Sequence, residues 1–106
     1  MVKRFEIYLL NLDTEISDDA RNTRPCVVIS PDEMNKHISS AIVAPVSSVD
    51  QKYPTRIPFE FLEKKRAVVL DQIRTVEKER LVKNIGTIER SAQTAILDTL
   101  QEMFAK

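Results

Sequence analysis

Apolar residues recur along this chain at two periods, every second position through most of it and every third or fourth near its end. Lys3 to Leu12 alternates, with Phe5, Ile7 and Leu9 on one face and Glu6 and Tyr8 on the other, which predicts a half-buried strand. Cys26 to Ile29 is apolar on both faces and predicts a strand central to a small sheet. Pro25 fixes its own φ at the mouth of that strand and drives Arg24 toward an extended conformation. Ser40 to Val46 is a third strand, with Ser47-Ser48 as its hydroxyl-bearing exit. Tyr53 to Glu60 is extended, and Pro58 confines it to an edge. Ala67 to Leu70 reads as another buried strand, running on without a turn signal into Asp71-Gln72-Ile73-Arg74-Thr75-Val76, and Val82 to Ile88 as the last.

Helical signals are fewer. Ser30-Pro31-Asp32-Glu33-Met34 combines a capping hydroxyl, Pro at the first helical position and acids in the first turn, with room for a turn or two before His37. Glu77 to Leu81 fits one further turn. From Glu89 the period changes: Ile88, Ala92, Ala95, Ile96, Thr99 and Met103 form one stripe, flanked by Leu100 and Phe104, which predicts an amphipathic helix of about four turns. Asp13 to Thr23 is polar and aperiodic, either a functional loop or a solvated hairpin tip. Together these elements predict a mainly β fold: a small, strongly bent sheet or partly open barrel of five to seven strands, with a short helix and a C-terminal amphipathic α-helix.

Composition narrows the chemistry. A chain of 106 residues without internal repeats reads as one domain over 1–106. Its single Gly excludes Gly-rich phosphate loops, and no apolar run is long enough to cross a bilayer. With no signal-peptide core at the N-terminus, a cytoplasmic location is expected. Cys26 is the only cysteine, which rules out an intramolecular disulfide or cysteine-based zinc site and points to a buried, inert thiol. Asp18 and Asp19 have no further ligand at metal spacing, so neither a metal nor another cofactor is expected. Sixteen basic residues balance sixteen acidic ones, which argues against coating nucleic acid by bulk charge but leaves room for a few placed cations.

Candidate chemistry lies at strand ends: Arg24 before its strand, Ser47-Ser48 after theirs, Asp71-Gln72 closing Leu70, and Asn35 and His37 in the short helix. Arg24 is a planar, permanently charged fork suited to phosphate or carboxylate, or else an ordinary surface arginine before a core strand. If these ends converge, they offer a cation, hydroxyls, an amide and a carboxylate. No Gly-x-Ser-x-Gly elbow accompanies Ser47-Ser48, and one histidine cannot supply a two-histidine mechanism within one chain.

Four blocks in this order, Arg24-Pro25-Cys26-Val27-Val28-Ile29, Ala44-Pro45-Val46-Ser47-Ser48, Tyr53-Pro54-Thr55 and Val69-Leu70-Asp71-Gln72-Ile73-Arg74-Thr75-Val76, resemble the MazF/PemK (Kid-type) family of toxin–antitoxin ribonucleases over nearly the whole chain. The resemblance implies a small SH3-like barrel of the CcdB/MazF type and a homodimer. It also implies metal-independent, sequence-specific cleavage of single-stranded RNA or mRNA, and inhibition by a cognate antitoxin protein. By position it assigns Arg24, Ser47 and Asp71 to catalysis, and Asn35, Gln72, Ser48 and Asp19 to RNA contact. Two departures stand out: Ser17 to Asn22 lacks the family's loop glycines, and Val69 stands where some members have an arginine, so that cation must come from elsewhere. Arg21, Lys52 and Arg56 are nearby cations for RNA or an acidic antitoxin segment. Two other classes remain open: a non-enzymatic toxin docking on a protein such as a topoisomerase, and a catalytically weakened RNA-binding relative.

Overall fold

The computed structural model describes residues 1–13, 22–48 and 53–106. Among the described residues, seven strands form one antiparallel, curled sheet: β1 (Glu6–Asn11), β2 (Thr23–Val28), β3 (Ser40–Ser47), β4 (Arg56–Phe61), β5 (Lys64–Val69), β6 (Arg74–Glu77) and β7 (Leu81–Thr87). Their spatial order is β4-β5-β3-β2-β1-β7, with β6 also on β3. A short helix α1 (Asp32–His37) joins β2 to β3, and α2 (Arg90–Met103) follows β7. The long polar loop expected before β2 falls mainly on residues 14–21, so Asp19 and Arg21 lie outside the described residues, as does Lys52.

Alternation sorts side chains onto two faces, and both carry a core. The inner cluster joins Phe5, Ile7, Val27, Ile29, Ala44, Ile57, Phe59, Val68 and Leu70 to Ile88, Ala92 and Ile96, so the predicted stripe of α2 closes the mouth of the curl. The outer cluster is Leu10, Cys26, Val28, Ala41, Val43, Val76 and Leu81. β2 and β3 therefore contribute to both clusters, as expected of central strands without alternation. In β1, register shifts against β7 between Ile7 and Tyr8 and between Leu9 and Leu10 alter the simple pattern, so Leu10 is buried and Leu9 is half-buried. Pro58 does lie on an edge strand, β4. The β4–β5 hairpin turns through Leu62 (φ 52°) and Glu63 (φ 64°), a left-handed pair without glycine.

Strands β5 and β6 share one edge of β3. Val46 and Ser47 pair with Val68 and Ala67, while Ser40 to Val43 pair with Glu77 to Arg74. Five residues lie between Val68 and Arg74 against two between Val43 and Val46, so the edge strand carries a three-residue excess. That excess is accommodated by a 3₁₀ turn, Leu70–Gln72, which tucks Leu70 into the core and leaves Asp71 and Gln72 exposed.

Cys26 is 1% exposed, and burial pushes its thiol from 9.0 up to about 12, against smaller opposing effects of a Tyr8 backbone hydrogen bond and the Arg74 charge. The unfolded chain thus releases a proton above pH 9 that the native protein keeps. This contribution to stability is complete below pH 9 and is lost as pH rises toward 12. Urea melts at pH 8 and pH 10 should show a steeper alkaline decline for wild type than for Cys26→Ala; equal declines would count against this account.

Candidate functional site

On the outer face the strands place Arg24 and Ser47 on adjacent strands, and Asp71 in contact with Arg56. On β2, Arg24 shares its face with Cys26; on β3, Ser47 shares its face with Val43. The β2–β3 ladder ends at Cys26 with Pro45, and Arg24 and Ser47 each lie two residues beyond that last pair, on the same face of adjacent strands. Arg24 is exposed, and its Nη1 donates to the Thr23 carbonyl at 2.9 Å, which turns the guanidinium along the strand end. Ser47 is half-buried and Ser48 is exposed beyond it.

The second pair is Asp71 with Arg56. Ser47 pairs with Ala67 on β5, and two residues on, Val69 pairs with Arg56 on β4, so Arg56 stands on the same face as Arg24 and Ser47. From the 3₁₀ turn, Asp71 Oδ2 accepts a hydrogen bond from Thr55 Oγ1 at 2.6 Å and lies 3.7 Å from Arg56 Nε. The Leu70 amide donates to the Thr55 carbonyl at 2.9 Å, tying the two turns together. Asp71 therefore orients Arg56, not Arg24. Val69, where a cation was sought, has Arg56 as its direct cross-strand neighbour. Arg74, opposite Val43, adds a third arginine to this face. Three arginines of a chain with zero net charge thus share this face with Asp71.

Not every expected residue joins the site. Gln72 is exposed beside Asp71 and free to face a ligand. Asn35 is 0% exposed: its Nδ2 donates to the Ser30 carbonyl at 2.9 Å, its Oδ1 accepts from Ser30 Oγ, and its carbonyl accepts from Lys78 Nζ at 2.6 Å. In this conformation no part of its side chain faces solvent, and its bonds brace α1 against Ser30 and Lys78. Ser30 does not cap α1 either; Pro31 holds the N-cap, and the Ser30 hydroxyl accepts from the Ile42 amide at 3.0 Å. His37 is exposed at the helix end.

The sequence alone gives Tyr53 and Thr55 no role beyond membership of the Tyr53-Pro54-Thr55 block. The Arg56 guanidinium carbon lies 5.1 Å from the Tyr53 ring centroid. The signal was the spacing: an aromatic residue three positions before an arginine across a Pro-containing turn.

Known proteins share both sequence and fold with this chain. Endoribonuclease EndoA of Bacillus subtilis (strain 168) is 29% identical over 107 residues, covering 95% of this chain and 92% of the relative. A crystal structure of MazE-MazF (Form-II) from Deinococcus radiodurans superposes with a TM-score of 0.80 at 18% identity, covering 98% and 95% of the two chains. An endoribonuclease in complex with its cognate antitoxin from a mycobacterial species gives a TM-score of 0.79 at 16% identity, covering 96% and 93%. Residues 3–104 match the sequence model of a family described as PemK-like, MazF-like toxins of type II toxin–antitoxin systems, and the chain belongs to that family.

Proposed function

We propose that the protein is the toxin of a type II toxin–antitoxin pair and acts as a metal-independent, sequence-specific endoribonuclease on single-stranded RNA. The observation that carries this reading is an outer face that holds exposed Arg24 and half-buried Ser47 on adjacent strands together with Arg56 and Asp71. In this reading it works as a homodimer and is silenced by an antitoxin protein whose acidic segment occupies the arginine-lined face.

The reaction begins when a ribose 2′-hydroxyl attacks the adjacent phosphorus. The 2′-O–P bond forms, the P–O5′ bond breaks, one proton leaves the 2′-oxygen and one reaches the departing 5′-oxygen. Arg24 meets the growing negative charge on the non-bridging oxygens with a two-pronged donor. Ser47 donates to, and positions, a phosphate oxygen. An unaided hydroxyl is too weak an acid to shuttle the proton, which leaves Asp71 as the stronger candidate acceptor. Gln72, Ser48 and Asp19 contact bases or sugar beside the cut.

The test is a long single-stranded RNA incubated with the protein in EDTA, with product ends mapped. Discrete cuts bearing 2′,3′-cyclic phosphate and 5′-hydroxyl ends are expected. Intact RNA from a protein that still arrests cell growth would replace this reading with that of a toxin docking on another protein.

A further inference from the structure

We infer that Tyr53 is a stacking platform for one base of the bound RNA, backed by Arg56 and fixed beside Asp71; this rests on the nuclease reading above. The chain has two tyrosines, four phenylalanines and no tryptophan. Phe5 and Phe59 are buried in the inner cluster, and Phe61 packs against it. Tyr8 packs on the outer cluster. Phe104 is exposed at the end of α2, whereas Tyr53, 54% exposed, stands at the polar end of the sheet.

The ring is held, not merely exposed. The Arg56 guanidinium lies over one of its faces at 5.1 Å, and the Arg56 amide donates to the Tyr53 carbonyl at 3.0 Å. Arg56 is in turn oriented by Asp71 at 3.7 Å, and Thr55, inside the same turn, donates to that carboxylate at 2.6 Å. Residues 53–56 are thereby locked to the turn that presents Asp71 and Gln72. A cation behind an aromatic ring draws electron density away from its open face, which favours an electron-rich nucleobase as the next layer. Stacking of this kind tolerates any base and gains affinity at low ordering cost when the ring is already fixed. One flat, preset surface beside a phosphate-binding face is what an extended strand needs to splay a base out of its own stack. The alternative, a surface tyrosine that merely covers Arg56, assigns no role to its open face.

The test uses wild type, Tyr53→Ala and Tyr53→Phe with a fully 2′-O-methylated, mixed-sequence single-stranded RNA, which binds but cannot be cut. Anisotropy of a labelled strand gives affinity, and tyrosine emission, unobscured by tryptophan, reports stacking. Tyr53→Ala is expected to bind about tenfold more weakly. Tyr53→Phe should stay within about twofold of wild type yet lose the RNA-induced quenching of tyrosine emission, a signature that a purely structural role would not produce. Equal affinity of Tyr53→Ala and wild type, or unchanged quenching in Tyr53→Phe, overturns the proposal. Cleavage of the unmethylated RNA by wild type, followed in parallel, reports on the nuclease reading separately: cutting with no effect at Tyr53 removes the platform alone.

Discussion

Arg24→Ala is expected to reduce RNA cleavage by roughly a hundred- to thousandfold, the range seen when one preorganised donor to a developing oxyanion is removed. The loss should fall mainly on turnover, because ground-state binding is shared with Arg56, Arg74 and stacking, whereas relief of charge at the reacting phosphate is concentrated at Arg24. Stability should change by no more than about 0.5 kcal/mol, since the side chain is exposed and its bond is to a carbonyl at a strand end. Arg24→Lys keeps the charge but not the fork, and should recover only part of the rate. Single-turnover cleavage of one mapped site, alongside a thermal melt, decides the matter. A folded Arg24→Ala protein cutting at the wild-type rate would remove Arg24 from the chemistry.

Asn35→Ala should do the reverse, costing stability and sparing specificity. Deleting the amide leaves the buried Ser30 carbonyl without its 2.9 Å donor and the Ser30 hydroxyl without its Asn35 acceptor, and opens a small void. A loss of about 3 kcal/mol is expected, enough to lower the melting temperature by roughly 10–20 °C in a chain of this size. Urea denaturation measures the first, and end-mapping of cleavage products at low temperature tests the second. A variant of wild-type stability that cuts a different RNA motif would return Asn35 to base recognition.

The contrast between these two residues shows what could be read in advance. Arg24 was legible because Pro25 and a β-branched run define its strand locally. Asn35, in a six-residue helix rich in charged residues, reads as exposed. Its burial follows from Ser30, Ile42 and Lys78, partners brought together only by the finished sheet. The predicted stripe of α2 and the edge position set by Pro58 survive for the same local reason. The 3₁₀ turn at Leu70–Gln72 has no glycine or proline to announce it; it arises because β5 and β6 must share one edge of β3 with residues to spare. Leu62 and Glu63 adopt left-handed backbone without the usual residues, so their hairpin was equally silent. The placing of Arg24 and Ser47 on one face of adjacent strands depends on β2–β3 register, which hydrophobic pattern alone does not number; the family resemblance supplied the expectation.

The pairing of β1 with β7 has a consequence for the order of synthesis. Arg24, Ser47 and Asp71 all leave the ribosome before residues 81–87, which pair with β1, and before Ile88, Ala92 and Ile96 of the inner cluster. The nascent chain holds these three residues early but lacks the last strand and helix that close the sheet around them. Such long-range closure is slow compared with local contacts. Completion of the fold therefore waits until residues 81–96 have been translated, giving a translating cell an interval in which most of the sheet is made but not yet closed.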